Sequence, residues 1–260
     1  MTDKEKKYIL MFSGGKDSTF LFLQLIRRNY PLDELVFFDT GWEFPAMYEH
    51  IEKCKKMCKE SGIKFTTLHP EKSFDYLMFQ KEVNKRNGNI QYGYSWCGGT
   101  CRWGTTEKLK VLDRYAEKNQ DVVVYIGIAS DEKARLERER ADYKRFPLDE
   151  WGITEAECLI GCYNAGFDWG GMYEHLDRLS CKFCKNKNLK ELRNIRKYYP
   201  EVWEQLQEYQ KRTDIPYKGN GQSVFDLEKR FKFEEERITQ GLSITSREFH
   251  KELKNKLKTQ

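Results

Sequence analysis

The sequence predicts an α/β fold, a parallel sheet covered on both faces by helices, with a helical C-terminal addition. Three observations predict it. Short apolar runs of strand type alternate with helical patterns through the first half of the chain. A glycine-bearing turn, Ser13-Gly14-Gly15-Lys16-Asp17-Ser18, joins the first such run to the first helix. The last third is highly charged and helical in pattern.

Taken in order, the strand-like runs are Tyr8–Phe12, Leu35–Asp39, Lys64–Leu68 and Val122–Gly127. Helical patterns cover Ser18–Arg28, Ala46–Ser61 and Gly104–Lys118. In the C-terminal part they cover Leu189–Tyr198, Glu201–Arg212 and Ser223–Gln240, with Pro200 suited to a first helical position. Lys211 to Gly221, which holds Pro216, Gly219 and Gly221, reads as a loop. Trp203, Phe225, Leu227 and Phe231 are expected to pack the addition onto the main domain. The tail from Arg247 to Lys258 reads as a basic, solvated helix, with nucleic acid or a protein partner as the other reading. The expected domains are residues 1–185 and 186–260.

A chain of 260 residues with 39% hydrophobic content can hold one such domain and its extension. The net charge of +5 suits an anionic ligand and tolerates nucleic acid. The N-terminus, MTDKEKKY, has no secretory apolar region, and no run approaches membrane-spanning length, so a soluble cytoplasmic protein with no membrane partner is expected. Eight cysteines then point to metal or redox chemistry rather than to a disulfide framework.

The glycine turn sits where a strand feeds a helix N-terminus, and that is an anion site. Amides without helical partners point at the ligand and the helix dipole adds partial positive charge. Gly14 and Gly15 let the backbone approach, Lys16 adds a full charge, and Ser13, Asp17 and Ser18 can hold an oxyanion or the hydration shell of Mg²⁺. The turn is not a Walker A loop, because the required earlier glycine is Leu10 here. Ligands of open parallel sheets bind beyond the carboxyl ends of the strands. That rule places Asp39, Thr40 and Gly41 beside the loop, and Gly127 to Asp131 beside both. Asp39 suits a ribose hydroxyl or a metal-bound water, or else caps the next turn.

The hexapeptide SGGKDS resembles the PP-loop of the adenine nucleotide alpha hydrolase-like superfamily, whose members bind pyrophosphate there and cleave ATP between the α and β phosphates. With Asp39-Thr40-Gly41-Trp42-Glu43-Phe44-Pro45 it resembles the PAPS reductase family, whose second strand ends in a DTG-x-x-FP pattern. The resemblance implies a doubly wound, parallel five-stranded sheet, with adenine against the backbone of that strand end. Two later stretches extend it. Tyr125 to Glu132 with Arg135 looks like the family's G-I-R-x-x-E-x-x-R segment, and Phe146 to Trp151 with Thr154-Glu155 like its P-L-x-x-W-T-E-x-E stretch. There are departures: Ala46 follows the Pro, and Ala129 replaces the first Arg, so one anion contact of the reductases is missing. Arg135 remains, facing a phosphate or forming a surface salt bridge. Thr154 to Glu157 also has the spacing of a capping box. The resemblance runs over roughly residues 8 to 190.

Cys97 and Cys101 lie in a glycine-bearing turn, WCGGTCRW, and Cys181 and Cys184 form a C-x-x-C pair. Two such loops supply four thiolates to one ion, which suits Zn²⁺ or an iron–sulfur cluster. In cluster-bearing sulfonucleotide reductases a tandem Cys-Cys precedes a C-x-x-C by a similar distance; the wider first pair here resembles the PAPS-reductase-like proteins of DNA phosphorothioation, some of which carry a [4Fe-4S] cluster. Cys54 with Cys58, and Cys158 with Cys162, share helix faces and read as small core residues.

Reductases of the resembling family attack sulfur with a cysteine near the C-terminus, and no cysteine follows Cys184. The expectation is therefore a PP-loop enzyme that binds ATP with Mg²⁺ and transfers an adenylyl group with release of pyrophosphate. Lys16, Asp17 and Asp39 would act in the chemistry. Ser13, Gly14, Gly15, Lys16, Asp17, Ser18, Asp39, Thr40, Gly41, Gly127 and Arg135 would hold the nucleotide. Cys97, Cys101, Cys181 and Cys184 would hold the metal. The acceptor is unassigned, with nucleic acid or a sulfur-donor protein as partners. The alternatives are a sulfonucleotide reductase and a non-catalytic nucleotide-sensing regulator.

Overall fold

The computed structural model describes residues 6–96, 101–118, 121–137 and 141–258. The elements in chain order are β1 (Lys7–Phe12), α1 (Lys16–Arg27), β2 (Glu34–Phe38), α2 (Pro45–Glu60), β3 (Lys64–Leu68), α3 (Phe74–Phe79), β4 (Glu82–Asn84), β5 (Ile90–Tyr92), α4 (Glu107–Glu117), β6 (Val122–Ile126), α5 (Lys133–Leu136), β7 (Lys144–Arg145), α6 (Pro147–Glu150), α7 (Glu155–Asn164), α8 (Met172–His175), α9 (Leu189–Tyr198), α10 (Pro200–Lys211), α11 (Val224–Thr239) and α12 (Arg247–Lys258). They fall into two units, Met1–Phe74 with Cys101–Lys182, and Asp75–Thr100 with Phe183–Gln260.

The first unit is built on a sheet of five strands, ordered β3-β2-β1-β6-β7, with every pairing parallel. This is the doubly wound sheet that the sequence predicts. β1 is its centre: Leu10 is paired with Leu35 on one side and Tyr125 on the other. Strands buried on both faces read as continuous apolar runs, and β2 is buried along its whole length. Phe12 packs on Phe22 of α1 and stacks near His50 of α2, and Met11 and Phe12 both border a cavity under α4.

Glu34, at the entry of β2, is a charged residue in this core with a side-chain exposure of 0%. Its Oε1 accepts from Thr66, from Tyr115 Oη at 2.6 Å and from Lys64 Nζ at 3.0 Å, and Lys7 Nζ lies 2.6 Å from Oε2. Burial opposes ionisation, but these partners outweigh it and hold the carboxyl down at about 2.

The second unit contains a short antiparallel hairpin, β4 with β5, and the helices α9 to α12. Asn188 and Ser223 close reciprocal capping boxes on α9 and α11, and Pro200 stands in the first turn of α10. Trp203 packs on Phe231 at 5.7 Å between ring centroids, and Leu227 is fully buried. Phe225 differs from expectation: the buried stripe of α11 runs through Val224, Leu227 and Phe231, and Phe225 falls off it with 36% exposure. α12 lays Phe249 and Leu253 against Phe233. Among the described residues, no helix is long and apolar enough to cross a membrane.

Candidate active site

The loop between β1 and α1 lies at the carboxyl end of the central strand. Level register places the ends of β2 and β6 on either side of it, where Asp39 to Gly41 and Gly127 follow. In this sheet order the first and fourth parallel strands flank the point where the winding reverses, and ligands bind there. Gly127 is pressed against the loop: a Cβ on it would come within 2.9 Å of Ser18 N and Cα. Gly14 takes φ +78°, a conformation that favours glycine. The hydroxyls of Ser13 and Ser18 lie 2.9 Å apart, and Ser18 also donates to Gly15 O.

The backbone of the loop is gripped from segments 146 to 157 residues later in the chain. Trp169 Nε1 donates to Gly14 O at 2.8 Å. Tyr173 Oη accepts from Lys16 N at 2.8 Å, and Cys162 Sγ donates to Lys16 O at 3.4 Å. Beneath Trp169, His50 Nε2 meets Thr19 Oγ1 at 3.0 Å, and its ring lies 4.8 Å from the indole. Burial, with a smaller push from Lys53, lowers this imidazole to about 4.

Lys16 turns its ammonium toward two carboxylates, Asp17 Oδ1 at 2.8 Å and Glu155 Oε1 at 2.6 Å. Burial would lower its pKa, but the hydrogen bonds and charges of Asp17 and Glu155 outweigh that and raise it. For Asp17, burial raises the carboxyl against the pull of Lys16, and the charges of Glu155 and Glu132 raise it further. Oxygens of Asp17, Glu132 and Glu155 lie within 4.8 Å of one another. Such a set of hard oxygen donors can take a divalent cation.

Asp39 Oδ1 accepts from Gly41 N at 2.8 Å and from Tyr48 Oη at 2.9 Å, so it shapes the turn after β2. Thr40 is turned inward, donating to Glu43 at 2.6 Å and accepting from Trp42 N. Arg135 is paired with Glu132. A cavity of about 230 Å³ opens beside the loop, with Ser13, Ser18, Gly127 and Arg135 at its polar side and Val36, Leu112 and Val124 as apolar lining. Lys108 of α4 also lines it; burial lowers its ammonium against the opposing charges of Glu43 and Cys181.

Of the predicted metal ligands, Cys101 and Cys181 belong to the first unit, Cys184 to the second, and Cys97 lies outside the described residues. Cys101 caps a π-helical turn, Arg102–Thr106, and its sulfur accepts from Gly104 N at 3.1 Å. Lys182 N donates to Trp42 O at 2.8 Å, tying the residue after Cys181 to the turn after β2. The other four cysteines are fully buried, as the core reading expects.

Sequence reasoning missed Glu132, Glu155, Trp169 and Tyr173. Thr154 and Glu157 do form the capping box, but Glu155 between them is free to reach Lys16. The signal for the other pair is Gly170-Gly171 directly after Trp169, which marks a tight reversal.

The profile of the family described as phosphoadenosine phosphosulfate reductase domain matches residues 7–154. An uncharacterized protein of Methanocaldococcus jannaschii is 26% identical over 230 residues, covering 82% of this chain and 44% of that protein. A tRNA(Ile)-lysidine synthase of Chlamydia caviae is 32% identical over 98 residues, covering 33% of this chain and 30% of that enzyme. The chain spans less than half the length of either relative.

Proposed function

The chain belongs to the phosphoadenosine phosphosulfate reductase domain family, and on that premise we propose that it binds ATP with Mg²⁺ and transfers the adenylyl group to an acceptor, releasing pyrophosphate. The observation that carries this reading is the placement of Lys16 and the loop amides at the carboxyl end of β1, with Gly127 packed against them. Gly14, Gly15, Lys16 and Ser18 hold the pyrophosphate portion and offset charge as it grows on the leaving group. Asp17, Glu132 and Glu155 would hold the magnesium ion, which supplies charge neutralisation along the phosphates. The approach of phosphate releases Lys16 from Asp17 and Glu155 to the nucleotide. Asp39 and Gly41 offer the turn after β2 to the ribose and base.

ATP is favoured over a sulfonucleotide because one anion contact of the reductases is missing. Ala129 is fully buried where the reductases carry an arginine, and Arg135 is already paired with Glu132. The acceptor is open; similarity to a tRNA(Ile)-lysidine synthase adds support for nucleic acid. The four cysteines Cys97, Cys101, Cys181 and Cys184 would hold an iron–sulfur cluster or Zn²⁺. Thiol donors suit either, and the Gly104 amide aimed at Cys101 Sγ suits a thiolate.

Exchange of labelled pyrophosphate into ATP, run with candidate acceptors, tests the reaction. Lys16→Ala is expected to weaken ATP binding by roughly 1.5–3 kcal/mol, the worth of a charge-assisted contact. Equal affinity in the variant would remove Lys16 from the site, and binding without exchange for any acceptor would favour a nucleotide sensor.

A further inference from the structure

We propose that the hydroxyl of Tyr173 is a direct ligand of the nucleotide's phosphate chain, accepting the Lys16 amide and donating its own proton to a phosphate oxygen seated on the loop. The inference rests on the reading of the loop as a phosphate site and adds a residue to it.

Tyr173 Oη lies 2.8 Å from Lys16 N and is the acceptor in that bond. A phenol has one proton to give as well as lone pairs to offer. Among the described residues, that proton meets no acceptor. The oxygen also stands over Gly15, where an added Cβ would be 3.5 Å away. The spare donor is therefore at the loop that would receive the phosphates. Burial, with Asp17 and Cys162 nearby, raises the phenol well above its ordinary value against the pull of the Lys16 amide, so the proton stays in place at neutral pH.

The chain takes up strain to put the ring there. Trp169, Gly170 and Gly171 have φ of +51°, +61° and +77°, three left-handed residues in succession, and the first is a tryptophan. A bulky residue in that region costs free energy and marks a constraint worth explaining. The reversal folds α8 back onto the loop and sets Tyr173 edge-on to Trp169 at 4.9 Å, with the indole itself bonded to Gly14 O.

The test is calorimetry of the whole chain with magnesium pyrophosphate, ATP and adenosine. Tyr173→Phe keeps the ring and removes only the hydroxyl. It is expected to bind pyrophosphate and ATP roughly ten- to a hundredfold more weakly and adenosine equally. Equal or tighter pyrophosphate binding would overturn the proposal, because the hydroxyl would then be a bystander or a placeholder that phosphate displaces. A second variant separates donation from support of the loop. Fluorotyrosine at position 173 has a more acidic phenol, a better donor and a poorer acceptor. A direct ligand then binds pyrophosphate more tightly, whereas a residue that only accepts from Lys16 binds it more weakly, which overturns the proposal. Folded wild-type protein that binds neither pyrophosphate nor ATP would overturn the phosphate reading and this inference together. Wild-type binding that Lys16→Ala weakens and Tyr173→Phe does not would overturn this inference alone.

Discussion

The indole nitrogen of Trp169 donates to the carbonyl oxygen of Gly14 at 2.8 Å, across 155 positions of sequence. Gly14 turns its backbone into a left-handed conformation between β1 and α1, and its carbonyl points inward, away from water. The bond to Trp169 satisfies that buried acceptor, so a residue far along the chain completes the first loop. Trp169→Phe keeps an aromatic ring beside His50 and leaves the carbonyl without its principal donor. The expected loss is roughly 1–3 kcal/mol of stability, measured by chemical denaturation, with weaker ATP binding in the same protein. Unchanged stability would mean that the Thr19 hydroxyl, 3.5 Å from the same oxygen, suffices.

Gly127→Ala tests the packing of the β6 end on the start of α1. The new methyl would lie 2.9 Å from Ser18 N and Cα and 3.0 Å from Asp17 C, all of them backbone. Backbone cannot step aside as a flexible side chain can, so the helix start must move. The expected cost is roughly 1–3 kcal/mol, as for an overpacked core, together with loss of nucleotide affinity. Gly219→Ala is the control, since nothing lies within 4 Å of its Cβ position. A Gly127→Ala protein as stable as that control would show that the two segments are not held in register.

The strands β1, β2, β3 and β6 are legible in the sequence to within a residue: β1, β2 and β6 because they are apolar runs with a buried core, and the half-buried edge strand β3, KFTTL, because its β-branched and aromatic residues favour an extended chain. β7 is not, since Lys144–Arg145 is a two-residue polar strand that exists only by pairing with β6. The hairpin of β4 and β5 has three residues a side and the same difficulty. α9 and α12 match their predicted ranges because amphipathic periodicity is local, and α9 adds a capping box; α12 differs from the solvated helix expected in that it buries Phe249 and Leu253. In the candidate site, the glycine loop is legible because its residue types stand in a row at a strand-to-helix junction. The partners of the loop are not, because Trp169, Tyr173 and Glu155 reach it only through the tertiary fold.

His50 predicts a pH dependence. In the unfolded chain its imidazole takes a proton below about 6.5; in the folded protein burial delays this to about 4. Between those values the unfolded state binds more protons, so stability falls as pH falls. The contribution is complete above the unfolded value and is lost progressively toward the folded one. At pH 5 the loss is roughly 2 kcal/mol relative to neutral pH. Denaturation at both pH values, in wild type and in His50→Gln, isolates the term as the difference in slope. Equal slopes would show that His50 is solvated or already charged in the folded state.

The cysteines divide into two sets whose substitution should have opposite consequences. Cys54, Cys58, Cys158 and Cys162 are wholly buried, and burial raises every one of these thiols, Cys58 and Cys162 to about 12. A thiol held so far from ionisation is a poor metal ligand, because the thiolate is the coordinating form. Cys54→Ala and Cys158→Ala are therefore expected to leave metal content unchanged. Cys97→Ser, Cys101→Ser, Cys181→Ser and Cys184→Ser are expected to lose metal and lower the melting temperature together. Metal held by residues so far apart in the chain binds only the folded arrangement, so its binding free energy adds to folding. Anaerobic purification with metal and sulfide analysis reads the ion: iron with matching sulfide and a broad brown absorbance means a cluster, and zinc with no visible band means a structural site. Metal retained in all four serine variants, or lost in Cys54→Ala, would show that the ligands were assigned to the wrong set.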